Sequence, residues 1–185
     1  MRTGRAVIVI CAAIALAGCS SSSNHTSSVA PGSSAPSAPS SGAGSGATTP
    51  SAAGPVPSVS GATDMTADPK IGPGAGTPPT ALIEKDLVVG TGATAGPNAT
   101  VKVQYVGALY GTGKVFDASW TDTGPATFPL SEVVPGFKDA IVGMRIGGRR
   151  EVVIPPALGY GASGSPPVIP PNATLVFVID LLGIS

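Results

Sequence analysis

Residues 100–110 alternate between apolar and polar positions over most of their length. The apolar side of the alternation is made by Val101, Val103, Tyr105 and Leu109. A period of two is typical of a strand with one buried face. A turn with two glycines follows at 111–113, and residues 114–117 begin a second apolar stretch. The pattern therefore predicts a β-hairpin.

Residues 135–144 follow a different period, with apolar side chains three and four positions apart. These side chains are Phe137, Ala140, Ile141 and Met144. Pro135 suits the first turn of a helix, and the glycines at 147–148 suit the segment after its end. Two more runs, at 150–154 and 174–182, have the composition of strands. Four or five antiparallel strands with one helix predict an α+β domain, in which the helix covers one face of the sheet.

The segment 19–79 differs in composition from residues 80–185, because Ser, Ala, Gly, Pro and Thr dominate it and large apolar residues are nearly absent. Such a stretch buries too little surface to offset the conformational entropy lost on folding. We therefore predict that this segment is a disordered tether. It either holds the domain away from the membrane or has no role of its own. Residues 80–185 are predicted to form one globular domain that folds alone as a monomer.

The N-terminus has the layout of a signal peptide. Arg2 and Arg5 give it a positive start, and residues 6–17 are apolar and uncharged. This run is too short for a membrane-spanning helix, which needs about 20 residues.

A Leu-Ala-Gly-Cys box at residues 16–19 ends the apolar run and resembles the bacterial lipobox. Residues 1–18 are therefore predicted to be removed, and Cys19 to carry a lipid that anchors the chain to a membrane. The protein would then be extracytoplasmic, attached to the bacterial cell membrane or envelope. The alternative is that Cys19 is an ordinary thiol after a generic cleavage site.

Charge and residue counts exclude several classes of function. The chain has ten basic and ten acidic side chains, which is no basic footprint for nucleic acid. Its one histidine, His25, lies in the predicted tether, and its two cysteines are Cys11 and Cys19. The predicted domain therefore lacks the residues for Ser-His-Asp, Cys-His or zinc chemistry, and we predict neither metal nor cofactor.

Five short motifs lie at residues 105–107, 115–119, 132–137, 159–161 and 169–177. Their order and approximate spacing resemble those of the FK506-binding proteins (FKBPs). The region 80–185 resembles this family, which implies an antiparallel β half-barrel wrapped around one short α-helix. It also implies a peptidyl-prolyl cis-trans isomerase that acts on X-Pro bonds.

The same resemblance implies a set of site residues. Those implied to be catalytic are Tyr105, Phe116, Asp117, Phe137, Tyr160 and Ile169. Those implied to bind substrate are Phe128, Val133, Val134 and Phe177. Phe137 would form the floor of the pocket, the Ile169 N–H and the Tyr160 hydroxyl would hold substrate carbonyls, and Asp117 would order the pocket. Ala126 falls where many relatives carry an aromatic wall residue.

An apolar pocket suits this reaction, because the planar amide is charge-separated and its twisted form is less so. The implied partners are proline-containing polypeptides of exported proteins, and macrolides such as tacrolimus or rapamycin. Two other functions stay open. One is a binding module for proline segments with little turnover, and the other is a surface interaction lipoprotein. For each phenylalanine taken alone, ordinary core packing is the competing interpretation.

Overall fold

The computed structural model describes residues 56–121 and 124–185. The predicted signal peptide, Cys19 and most of the predicted tether lie outside these residues. The elements are β1 (Val59–Ser60), β2 (Lys70–Ile71), β3 (Ile83–Val88), β4 (Thr100–Leu109), β5 (Val115–Ala118), β6 (Ala126–Pro129), α1 (Pro135–Ile141), β7 (Arg149–Ile154), a 3-10 turn (Pro156–Leu158) and β8 (Leu175–Ile184). No helix among the described residues has the length and apolar character needed to span a membrane.

Six strands form one antiparallel sheet in the order β3-β7-β8-β4-β5, and β6 also pairs with β4. β5 and β6 share β4, because β6 pairs with its first residues and β5 with its last. The predicted hairpin and the strands β7 and β8 are confirmed. Strands β3 and β6 complete the sheet, and the α+β half-barrel around one helix is the observed fold.

Helix α1 is shorter than the apolar period predicts. It ends at Ile141, because Val142 leaves helical geometry and Gly143 adopts a φ of +86°. Met144 is nevertheless buried, as its place in the pattern predicts. The apolar positions were therefore correct, and the backbone beyond Ile141 is a turn.

The sheet buries both of its faces. On the helix face, α1 packs over residues such as Val152, Phe177 and Ile179. The opposite face carries a second apolar cluster, which includes Val106 and Val178. A cover is needed on that side as well, and α1 does not supply it.

Residues 56–79, here named the strap, provide that cover. β1 and β2 pair antiparallel, and Ile71 is buried in the second cluster with Val59 packed against it. The Tyr110 hydroxyl donates to the Ala75 carbonyl at 2.9 Å. The prediction that the tether extends to Pro79 is thus wrong for residues 56–79. Composition alone missed them, because their few apolar side chains suffice only where a sheet face is there to receive them.

A buried ion pair fastens the strap to the sheet. The Arg149 Nε and Nη2 atoms donate to the two Asp180 carboxylate oxygens at 2.5 and 2.6 Å, and both residues are almost fully buried. The same guanidinium donates to the backbone carbonyls of Gly61 at 2.7 Å and Ala67 at 3.3 Å. Arg149 therefore joins β7, β8 and the strap at one point.

Candidate active site

Phe137 lies at the centre of an aromatic cluster on the helix face of the sheet. Its ring centroid is 5.2 Å from Phe177, 6.1 Å from Tyr105 and 6.5 Å from Phe128. All three pairs meet edge to face, the arrangement that ring quadrupoles favour. Only 6 % of Phe137 is exposed.

The start of α1 sets the position of Phe137. Pro135 begins the helix, and Gly136 lets it approach β7 closely. A Cβ at Gly136 would come within 2.5 Å of Ile154 Cγ2, so a larger residue would push the helix away from the sheet. The Pro-Gly-Phe sequence thus places the ring where the sheet curves around it.

A pocket with about 340 Å³ of empty space lies over the Phe137 ring and opens to solvent. It is lined by Tyr105, Phe128, Val133, Val134, Phe137, Tyr160 and Phe177. None of these side chains is a carboxylate or an amine. The structure therefore brings together the four predicted substrate-binding residues and three of the six predicted catalytic residues, which are Tyr105, Tyr160 and the floor residue Phe137.

Phe116 supports this pocket from behind. Its ring lies 5.5 Å from that of Phe177 at an interplanar angle of 86°. Both rings pack directly against Gly107 of β4. A Cβ at this position would come 2.7 Å from a Phe177 ring carbon and 2.8 Å from a Phe116 ring carbon. The glycine of the Tyr-Val-Gly motif is thus required by packing, a role that sequence reasoning did not assign.

Asp117 lies beside the pocket and fixes one of its walls. The Tyr105 hydroxyl donates to Asp117 Oδ2 at 2.7 Å. The backbone of Tyr105 is held as well, because its N–H donates to Ser119 Oγ at 2.8 Å. Tyr105 and Asp117 are thus joined across the β4–β5 pair.

The Ile169 N–H is not available for the role that the family resemblance implies. Its N–H donates to the Ser165 carbonyl at 2.9 Å, and its side chain is buried in the core. The return bond from the Ser165 N–H to the Ile169 carbonyl, at 2.8 Å, closes this loop on itself. The predicted donation from Ile169 to a substrate carbonyl is therefore wrong for this structure, since the N–H is already used.

Val134 offers the backbone donor instead. It lines the pocket and caps α1, and its N–H donates no hydrogen bond to the described part of the chain. Groups at the start of a helix lack intrahelical partners, so this N–H is free to bind a ligand. The signal was present in the sequence, because a helix that starts at Pro135 makes Val134 the cap.

Two residues define the rim. Tyr160 follows the 3-10 turn and is partly exposed at the pocket. Ala126 lies at the start of β6, opposite Val103 of β4, and contributes only a methyl group to that side. Among the described residues, no three His, Cys, Asp or Glu side chains cluster as a metal site would require.

Comparison with known proteins agrees with this geometry. The sequence profile of the FKBP-type peptidyl-prolyl cis-trans isomerases matches residues 92–182. A probable FK506-binding protein of Corynebacterium glutamicum is 43% identical over 107 residues, which are 58% of this chain and 90% of that protein.

Two solved structures resemble the fold. The peptidyl-prolyl cis-trans isomerase of Pseudomonas syringae matches with a TM-score of 0.52 and 38% identity, over 56% of this chain and 75% of that one. FkpA of Escherichia coli matches with a TM-score of 0.54 and 40% identity, over 57% of this chain and 49% of that one. Taken with the profile match and the apolar pocket, these similarities establish that the chain belongs to the FKBP-type peptidyl-prolyl cis-trans isomerase family and is a peptidyl-prolyl cis-trans isomerase.

Proposed function

We propose that isomerisation takes place in the pocket over Phe137 and that its substrates are exported proteins outside the cytoplasm. The position of Phe137 carries the proposal. It closes the bottom of an uncharged pocket, and three other aromatic rings hold it there. A proline ring placed on this floor brings its amide into surroundings with few polar groups.

Loss of water favours the reaction directly. Rotation about the X-Pro bond is slow because amide resonance must be broken. Resonance separates charge in the planar form, and water stabilises that form. An apolar pocket withholds this stabilisation from the planar ground state more than from the twisted transition state, which lowers the barrier. Each 1.36 kcal/mol of difference gives about a tenfold change in rate.

Polar groups at the edge of the pocket orient the substrate. We assign the Val134 N–H to the carbonyl that precedes the proline, because Val134 lines the pocket and its N–H has no hydrogen-bond partner among the described residues. The Tyr160 hydroxyl is assigned to a second carbonyl. Asp117 acts by holding Tyr105, and therefore the wall, in place. The reaction needs no nucleophile and no transferred proton.

Replacement of Tyr105 by Phe tests the wall. The ring stays, and the 2.7 Å bond to Asp117 is lost. One hydrogen bond contributes about 0.5 to 1.5 kcal/mol, so we expect kcat/KM for a Leu-Pro peptide to fall roughly 2- to 12-fold. A protease-coupled or NMR exchange assay on the chain from residue 20 onward measures this.

Tyr110→Phe is the matched control. It also deletes a hydrogen-bonded hydroxyl, but on the strap face and away from the pocket. We expect it to lower stability to a similar degree and to leave kcat/KM unchanged. Equal activity in the Tyr105→Phe and Tyr110→Phe variants would contradict the proposed role of the Tyr105–Asp117 pair.

Tacrolimus and rapamycin are expected to bind the same pocket, because their pipecolyl ring resembles a proline over Phe137. We expect binding to shift the amide proton signal of Val134 in an NMR titration and to leave that of Ile169 in its loop. Ala126→Phe adds a ring to the open side and is expected to tighten binding. A folded protein that binds neither drug at high concentration would refute the pocket assignment.

The anchor is proposed on sequence grounds. The charged start, the apolar run and the box that ends at Cys19 together support lipid attachment and an extracytoplasmic location. We expect Cys19→Ala to leave the precursor uncleaved or to release the protein into the medium, as measured by membrane fractionation and mass spectrometry. Wild-type protein without added lipid mass would exclude this anchor.

A low-turnover binding module is the second candidate, and Ala126 is the observation in its favour. An open wall at β6 leaves a bound proline segment partly hydrated, which weakens the effect of desolvation. The exchange assay separates the two functions. Binding of a Leu-Pro peptide without any acceleration of exchange would replace the enzyme by the binding module.

A further inference from the structure

Glu151 of β7 is buried beneath the strap with no visible compensation. The residue has 0% exposure, and neither carboxylate oxygen accepts a hydrogen bond from the described residues. It lies between Arg149, which binds strap carbonyls, and Val153, which packs in the same cluster as Ile71 of the strap. The strap is therefore what separates this carboxyl from water on the outer side of the sheet.

No cationic side chain among the described residues is hydrogen-bonded to Glu151. In register, it faces Lys85 of β3 on one side and Val178 of β8 on the other. Arg149, two positions away on the same face of β7, is paired with Asp180 of β8, and Arg150 bonds to Asp86 and to the Ala140 carbonyl of α1. The charged residues of the strap are Asp64, Asp68 and Lys70, of which the last two pair with each other.

Burial raises the pKa of the Glu151 carboxyl from 4.5 to about 7, although the Lys85 ammonium acts in the opposite direction. The protonated form therefore fits the closed structure, and the ionised form does not. A second buried oxygen without a partner, Asp68 Oδ1, lies on the strap itself. The Glu151 carboxylate and this single Asp68 oxygen gain water if the strap lifts.

Lifting the strap is the smallest change that hydrates Glu151. β1 and β2 are only two residues long, and they pair with each other instead of with the main sheet. The polar attachments are the Arg149 contacts and those between Tyr110 and residues 74–75. The six-stranded sheet and α1 do not depend on these contacts for their own hydrogen bonds.

We propose that the strap is a pH-dependent clasp, closed over the sheet while Glu151 is protonated and released when Glu151 ionises. Release uncovers the apolar face around Val106 and Val178. It also removes the contacts of the strap with Tyr110, next to the turn that leads to Phe116 and Asp117.

The direction of the pH dependence follows from the pKa of Glu151 in the closed and the open state of the strap. Glu151 has a pKa of about 7 in the closed state and 4.5 when hydrated, so closure is favoured below pH 4.5 and this preference is lost as the pH rises through about 7. The ratio of open to closed molecules is expected to rise roughly 70-fold between pH 5 and pH 8.

Amide hydrogen exchange on the full chain tests the clasp. The Gly74 N–H donates to the Tyr110 carbonyl, a bond between the strap and the end of β4, so its protection reports lifting of the strap. We expect it to exchange at a lower opening free energy than the Val152 amide of β7. Its protection factor is expected to fall roughly 70-fold from pH 5 to pH 8.

Glu151→Gln keeps the shape of the protonated side chain and is expected to remove this pH dependence. Glu132→Gln, at an exposed position, is the matched control and is expected to retain it. Should the Glu151 variant fail to fold, carbon NMR of the wild-type Glu151 carboxyl must show a titration midpoint that coincides with the loss of strap protection.

Three results would overturn the clasp. The first is a strap as protected as the Val152 amide at every pH. The second is constant strap protection while Glu151 titrates, which would mean that Lys85 compensates the charge in place. The third is a pH dependence that survives in Glu151→Gln.

Discussion

Phe137→Ala is expected to lower kcat/KM for a Leu-Pro peptide roughly 10- to 150-fold. This range corresponds to the loss of about 1.5 to 3 kcal/mol of apolar contact with the proline ring. The substitution also admits water to the amide, which restores the stabilisation of the planar form. The chain is expected to lose about 3 to 5 kcal/mol of stability, because three rings lose their central partner.

Stability and activity must be separated in this test. Ile179→Ala is the matched control, because Ile179 is fully buried in the same core but does not line the pocket. It is expected to cost about 2 to 5 kcal/mol of stability and to leave kcat/KM close to wild type where the protein is folded. Circular dichroism verifies folding for both variants at the assay temperature. A fully active, folded Phe137→Ala variant would move the reaction to another site.

Asp180→Ala is expected to lower the stability by about 3 to 5 kcal/mol, because it leaves the Arg149 guanidinium buried without its carboxylate. The same change is expected to loosen the strap, since Arg149 positions the Gly61 and Ala67 carbonyls. Urea unfolding followed by circular dichroism measures the first effect. Fluorescence of Trp120, the only tryptophan and part of the cluster under the strap, reports the second.

Two further variants show whether the loss of stability in Asp180→Ala comes from the buried charge. Asp86→Ala breaks the exposed pair with Arg150 and is expected to cost no more than about 1 kcal/mol. The double variant Arg149→Met/Asp180→Leu removes both buried charges and is expected to recover most of the stability lost in Asp180→Ala. A loss in Asp180→Ala no greater than that in Asp86→Ala would mean that water reaches Arg149 in the folded protein.

Part of the site was predictable, because it depends on residue types at short range. The Pro-Gly-Phe start of α1 and the Phe-Asp pair of β5 are read directly from the sequence. The structure places Phe137 in the pocket and the Phe-Asp pair against the residues that line it. The backbone donor was not predictable in the same way. Whether the N–H of Val134 or that of Ile169 is free depends on how the 165–169 loop closes, and no side-chain pattern records this.

The sequence by itself determined the strand and helix periods, the family and the aromatic composition of the pocket, because each of these is expressed by side chains within a few positions. The tertiary structure alone decided that residues 56–79 fold, that Arg149 joins them to Asp180, and that Glu151 is sealed beneath them. The physical reason is that burial is a property of two surfaces. A segment poor in apolar residues folds where a distant sheet face receives it, and a carboxyl shifts its pKa only once that segment has excluded water.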